Sequence, residues 1–136
     1  MASRQLLHIA DAQGPCPVST PLLLVEDDPQ VRGMMVMLLE GDGLPVLVAA
    51  DGLDAIHHLQ EHRPSMVILD VNLPYVDGDE VGARVRTRYG STVPILVVTA
   101  SRRGAAIAGD LGAAYVAKPF DVDELLTTIW RCLSHR

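Results

Sequence analysis

Short apolar runs alternate along this chain with longer stretches in which apolar residues return every three or four positions. The runs are Leu22-Leu23-Leu24-Val25, Pro45-Val46-Leu47-Val48, Met66-Val67-Ile68-Leu69, Ile95-Leu96-Val97-Val98 and Ala113 to Ala117. Near-continuous apolar character marks strands covered on both faces, as in a parallel sheet between helix layers, so these runs predict five strands. Between them, Val31, Met34, Met35, Leu38 and Leu39 recur at helical spacing, as do Val122, Leu125, Leu126, Ile129 and Leu133. Each stripe is expected to pack on the sheet. Further helices are expected near 52–62, 78–89 and 102–110. Asp28 is placed to cap the first helix, with Pro29 in its first turn and Gly41 and Gly43 to stop it. Asp121 followed by Glu124 reads as a capping box for the last. Right-handed crossovers between parallel strands then give an α/β protein, a three-layer α/β/α sandwich around a five-stranded parallel sheet, with the flavodoxin-like order 2-1-3-4-5.

Composition narrows this picture. The 136 residues are 49% apolar, enough for one ordinary core and too few for two. Residues 1–20, with Gly14, Pro15 and Pro17, read as a flexible amino-terminal extension, and 21–136 as the folded domain. A net charge of −6 argues against a nucleic-acid footprint. The longest apolar runs fall far below the roughly 18 residues of a membrane span. The start, Met1-Ala2-Ser3-Arg4-Gln5-Leu6-Leu7-His8, lacks the continuous apolar segment of a signal peptide, so a cytoplasmic location is expected. Cys16 and Cys132 are too few for a disulfide scaffold, have no metal-knuckle spacing, and are expected to stay reduced.

Chemistry gathers at the ends of the runs. Open α/β sheets hold ligands at the carboxyl ends of their strands, and there stand Glu26-Asp27, Asp70, Thr99 and Lys118. Adjacent carboxylates after a strand can simply cap a helix, but Asp28 is available for that, which leaves Glu26 and Asp27 for the cleft. Like charges about 4 Å apart oppose one another by about 4 kcal/mol at an effective dielectric of about 20. A hard divalent cation relieves this, and magnesium accepts a few carboxylates, keeps waters and bridges to phosphate oxygens. Asp70 precedes the turn-rich loop Asn72-Leu73-Pro74-Tyr75-Val76-Asp77-Gly78, which would expose its carboxylate beside the metal. Aspartate can form an acyl phosphate. The Thr99 hydroxyl and the Lys118 ammonium, the latter followed by Pro119, would neutralise phosphoryl oxygens. Each residue alone has a plainer reading: a loop carboxylate, a strand-end β-branched residue, a surface lysine.

Taken in order, Leu-Val-Glu-Asp-Asp-Pro at the first strand, Ile-Leu-Asp-Val-Asn-Leu-Pro with Gly78 at the third, Val-Thr-Ala at the fourth and Lys-Pro-Phe at 118–120 are similar to the receiver domain of two-component response regulators. The resemblance covers about residues 21–134. It implies that Asp70 accepts a phosphoryl group from a sensor histidine kinase or phosphotransfer protein, with Lys118 and Thr99 on the phosphoryl oxygens. It also implies that Asp27, Asp70 and the Asn72 backbone carbonyl hold Mg2+ or Mn2+, with Glu26 acting through a bound water. A cis Lys118-Pro119 bond belongs to the same pattern. Thr99 and Tyr115 would form the switch, Thr99 moving toward the phosphoryl group and the aromatic ring following, as one of two packings is favoured. Tyr115 read by itself is an amphipathic strand residue with its hydroxyl in water. The implied partners are the phosphodonor, a downstream protein target and a second copy of the chain, with no nucleic acid, no membrane and no enzymatic activity beyond self-phosphorylation and self-dephosphorylation.

One stretch departs from that pattern. Lys118 follows Thr99 by 19 positions, a few residues short of what the resemblance implies. The deficit falls on the Gly112-Ala113-Ala114-Tyr115 turn and on the Arg102–Asp110 helix, which also carries the weak helix formers Gly104 and Gly109. A short or partly unwound fourth helix is predicted, which puts the usual dimer face in doubt but not the phosphorylation chemistry. Asn72 and Ser101, two places after Asp70 and Thr99, are neither acids nor bases and promise no strong assistance to a hydrolytic water. His58 and His62 have the spacing of a shared metal but no third ligand nearby, and read with His57 as a solvated helix face. Met34, Met35 and Met37 read as core and near-core filling, Trp130 as core-edge packing, and Arg102-Arg103 as exposed cations. Two other functions remain open at this level: a receiver-like interaction module that signals without phosphorylation, and a magnesium-dependent phosphohydrolase, for which no substrate cap is visible.

Overall fold

A computed structural model describes residues 20–134. The reading of residues 1–20 as a flexible extension falls almost wholly on positions outside that range. Five strands, β1 (Leu22–Val25), β2 (Val46–Ala49), β3 (Val67–Leu69), β4 (Ile95–Thr99) and β5 (Ala114–Ala117), alternate with five α-helices. These are α1 (Pro29–Gly41), α2 (Gly52–Glu61), α3 (Gly78–Tyr89), α4 (Gly104–Leu111) and α5 (Val122–Ser134), with a 3-10 turn at Gly90–Thr92. The sheet is parallel throughout, in the order β2-β1-β3-β4-β5. The expected fold and strand order are therefore present.

Because successive strand residues point to opposite faces, each strand feeds two cores. Leu23, Val25, Val67, Leu69, Ile95 and Val97 pack with Ala55 and Leu59 of α2, Val81 and Val85 of α3, and Ile107 and Ala108 of α4. Leu22, Leu24, Ile68, Leu96 and Val98 pack on the other face with Met35 and Leu39 of α1 and Leu125, Leu126, Ile129 and Leu133 of α5. Burial on both faces holds for β1, β3 and β4. The edge strands β2 and β5 are only partly covered, with Val48 and Tyr115 exposed, so the expectation of five fully covered strands is corrected there. β2 begins one residue later than read, because Pro45 has no N–H for the ladder and enters only through its carbonyl, which accepts from the Leu22 N–H.

Local chemistry sets the helix ends. The Asp28 side chain accepts from the N–H groups of Gln30 and Val31, and Asp51 from that of Asp54. Gly112, at φ 63°, ends α4 in the left-handed conformation that glycine adopts without a Cβ penalty. The fourth helix is short as predicted, eight residues of α-helix. Of Met34, Met35 and Met37 only Met35 is core; Met34 and Met37 are 44% and 76% exposed. The stripe facing the sheet is narrower than the spacing implied, and both fall at or beyond its rim. The Trp130 ring sits at the core edge as expected, and its Nε1 donates to the buried Asp42 carboxylate at 2.6 Å.

Candidate functional site

Parallel strands with right-handed crossovers bring their carboxyl ends to one edge, and the residues just past those ends form one bonded group. Glu26 follows β1, Asp70 follows β3, Thr99 closes β4 and Lys118 follows β5. Lys118 Nζ donates to Glu26 Oε1 at 2.6 Å and to Asp70 Oδ2 at 2.7 Å. Thr99 Oγ1 donates to Asp70 Oδ1 at 2.6 Å, and the Asn72 N–H donates to the same oxygen at 3.1 Å. Four of the predicted residues thus meet. The Glu26 side chain is 3% exposed, that of Asp70 10%, and that of Lys118 17%, so the charges are largely removed from water yet reachable from the edge.

One ammonium serves two carboxylates, which leaves a net negative charge. Burial pushes the Glu26 carboxyl above its ordinary value, against the pull of the Lys118 hydrogen bond and of the Asp28 N–H. Burial alone would lower Lys118, but its hydrogen bonds to Asp70 and Glu26 and the nearby negative charge outweigh that, and the ammonium is held above its ordinary value. Asp27 is exposed beside this group, and Asn72 is exposed at the start of the following loop. Among the described residues no three acidic, imidazole or thiolate side chains form a ready-made metal cluster. That includes His58 and His62, whose rings stand 6.3 Å apart, with His58 Nε2 3.8 Å from Asp54.

Backbone positions Asp70 as much as side chains do. A Cβ on Gly78 would overlap the Asp70 carbonyl oxygen and crowd the Val71 Cα, and the Gly78 N–H donates to the Val71 carbonyl at 2.8 Å. Only glycine lets the loop fold back this tightly. Gly52, at the start of α2, lies equally close to the Val76 carbonyl of the same loop. Tyr75, at its tip, has a φ of 69° and is 84% exposed. The Lys118-Pro119 peptide is cis.

Two contributors escaped the sequence reading. Arg32 Nη1 donates to the carbonyls of Glu26 and Asp27 at 2.9 and 3.3 Å, fixing the turn after β1. Arg86 of α3 donates to the carbonyls of Leu111, Gly90, Val93 and Gly112, fastening the end of α4. Neither belongs to a motif; each is a lone arginine on a helix whose targets are backbone oxygens distant or unpatterned in sequence. Tyr115 lies on β5 paired with Val97, and Thr99 pairs with Ala117. Tyr115 is 37% exposed, and its ring lies beside Gly104, as the Thr99 methyl does.

The family whose model matches is the response regulator receiver domain, over residues 22–130. Response regulator MprA of Mycobacterium sp. (strain KMS) is 41% identical over 110 residues, 77% of this chain and 46% of that protein. Transcriptional regulatory protein TcrA of Mycobacterium tuberculosis (strain ATCC 25618 / H37Rv) is 41% identical over 120 residues, 85% of this chain and 46% of that one. The chain therefore spans about half the length of the curated relatives it matches. Response regulator TrrA of Thermotoga maritima, solved in complex with Mg2+-BeF, is 25% identical with a TM-score of 0.76, covering 83% of this chain and 98% of that one.

Proposed function

The chain belongs to the response regulator receiver domain family, and from that premise we propose that Asp70 accepts a phosphoryl group from the phosphohistidine of a sensor histidine kinase or phosphotransfer protein. The observation that carries this reading is the bonding of the Asp70 carboxylate, held through one oxygen by Thr99 and Asn72 and through the other by Lys118. A carboxylate fixed at the rim of a sheet, between a hydroxyl and an ammonium, is oriented for in-line attack on phosphorus. The P–N bond of the donor breaks, an O–P bond to Asp70 forms, and the imidazole leaves. Thr99 and Lys118 then turn from the carboxylate to the equatorial phosphoryl oxygens, where negative charge needs donors.

Magnesium, or manganese in its place, fits the donor set. Asp27, Asp70 and the Asn72 carbonyl are hard oxygen donors, and Glu26 is near enough to act through water. The lack of a three-carboxylate cage is no obstacle, since magnesium is commonly held by one or two carboxylates together with waters and phosphate oxygens. Held by Asp27, Asp70 and the Asn72 carbonyl, a bound cation would supply positive charge to the phosphoryl oxygens in addition to that of Lys118. The Mg2+-BeF complex of TrrA supports this assignment.

Phosphorylation biases Thr99 and Tyr115 between two packings and so alters the surface around β5 for a downstream protein target or a second copy of the chain. The net charge of −6 favours protein over nucleic acid as the ligand of this region. Among the described residues no helix is long and apolar enough to cross a membrane, and the proposed phosphodonors are in keeping with a reaction in the cytoplasm. Magnesium-dependent incorporation of phosphate from acetyl phosphate tests the proposal: the unaltered chain labels, and Asp70→Asn does not. Failure of the unaltered chain to label would leave an interaction module that signals without phosphate, and turnover of small phosphate esters would point instead to a hydrolase.

A further inference from the structure

Gly104 opens α4 and is buried. Its backbone lies outside the left-handed region, so no conformational demand calls for glycine there. Space does. A Cβ at this position would stand 2.5 Å from Thr99 Cγ2 and 2.7 Å from Tyr115 Cε1, far inside the ~3.5–4 Å at which carbon atoms rest against each other. Gly109 in the same helix has nothing within 4 Å of its own Cβ position. The two glycines therefore differ in kind: one is a spacer, the other only a weak helix residue.

The spacer joins the two halves of the proposed switch. Thr99 is fully buried, its hydroxyl is bonded to Asp70, and its methyl faces Gly104. Hydroxyl and methyl sit on one stiff β-branched carbon, so a rotation that carries the hydroxyl to a phosphoryl oxygen also moves the methyl. We propose that Gly104 is a positioning residue that passes this displacement to Tyr115, because the absent side chain lets the Thr99 methyl, the first turn of α4 and the tyrosine ring touch in sequence. Alanine at 104 would prop them apart. Tyr115, more than one-third exposed, is the residue that yields, since Thr99 is enclosed and bonded. The proposal rests on Asp70 being the phosphoacceptor.

The experiment separates the two. The full chain, carrying 13C-labelled tyrosine rings, is observed by NMR with and without magnesium and beryllofluoride, the Tyr115 signal being assigned by its loss in Tyr115→Phe. Acetyl phosphate labelling is measured in parallel. The unaltered chain and Gly109→Ala label and show a shifted Tyr115 signal with beryllofluoride. Gly104→Ala labels, yet its Tyr115 signal is the same in both conditions. In Gly104→Ala combined with Thr99→Ser, which removes the obstructing methyl and keeps the hydroxyl, the shift returns; this pair also serves if the single variant does not fold. A normal Tyr115 shift in a labelled Gly104→Ala chain overturns the spacer role and leaves Asp70 untouched, as does a folded, labelled double variant whose signal stays fixed. Absence of labelling in the unaltered chain removes the phosphoacceptor and the coupling together.

Discussion

The charged edge of the sheet and the short helix α4 are neighbours held in different ways. At the edge, residues from the ends of β1, β3, β4 and β5 are tied side chain to side chain by bonds of 2.6 and 2.7 Å, and β1, β3 and β4 are buried on both faces. α4 is eight residues long, begins without a side-chain cap, and exposes Ala105, Ala106 and Gly109. Its far end is fastened to α3, where Arg86 reaches the Leu111 and Gly112 carbonyls at 2.6 and 3.1 Å, and where Leu111 packs against Gly82. The end nearer the site is tied to the site itself: the Ser101 N–H donates to Thr99 Oγ1 at 3.2 Å, the Arg103 N–H to Ser101 Oγ at 3.1 Å and the Gly104 N–H to the Ser101 carbonyl at 3.1 Å, with Gly104 close beside Thr99 and Tyr115. Chemistry thus stands on strand ends cross-linked by their own side chains. Its neighbour is clamped to α3 at one end and tied through Ser101 to Thr99 at the other, an arrangement suited to pivoting when Thr99 moves.

Each half of this contrast can be attacked. Lys118→Met leaves Glu26 and Asp70 as buried like charges without their cation, and breaking a buried ion pair in this way costs about 3–5 kcal/mol. Urea unfolding without divalent cations should show a loss of that size, and partial recovery in Asp70→Asn/Lys118→Met. An unchanged midpoint would mean that the edge is not the cross-linked element described. Arg86→Met strips donors from carbonyls at both ends of the 3-10 turn and at the end of α4. A loss of about 1–3 kcal/mol is expected, with faster amide exchange in α4 than in α1. Uniform exchange would deny the clamp.

Gly109→Ala should stabilise the chain by about 1 kcal/mol, since alanine favours helix and nothing obstructs it. A destabilisation would show that the exposed face of α4 is covered. The smallest effect lies in pH. The Lys118 ammonium has a raised folded-state value, so its contribution to stability is fully present below its ordinary value of 10.5 and is lost as pH rises through the higher folded value. Metal-free unfolding titrations above 10.5 should decline less steeply in Lys118→Met than in the unaltered chain.

Much of the edge was legible from sequence for a simple reason. Parallel strands with right-handed crossovers put every strand's carboxyl end on one side, so residues that follow apolar runs are brought together by topology alone. Glu26, Asp70, Thr99 and Lys118 were found that way, and their meeting needed no knowledge of rotamers. Gly104 was legible only as a poor helix former, because a space requirement belongs to the neighbours and not to the residue. Arg86 carried no signal, since a helix arginine that bonds to carbonyls up to 26 positions away has the same sequence context as one in water. Met34 and Met37 mark the same limit from the other side: helical spacing selects a face, and how much of that face is covered depends on what packs beside it.

The sequence by itself determined the alternating parallel fold, the strand order expected of it and the composition of the charged edge, because periodicity and strand polarity act through local rules and one chirality. The short α4 was legible through the Thr99-to-Lys118 spacing set against the receiver-domain pattern. Tertiary structure alone decided that a single lysine bridges two carboxylates, that Asp70 is bonded through both oxygens, and that α4 is fastened at Leu111 and seated at Gly104. Those are matters of distances between side chains remote in sequence, and only close packing sets them.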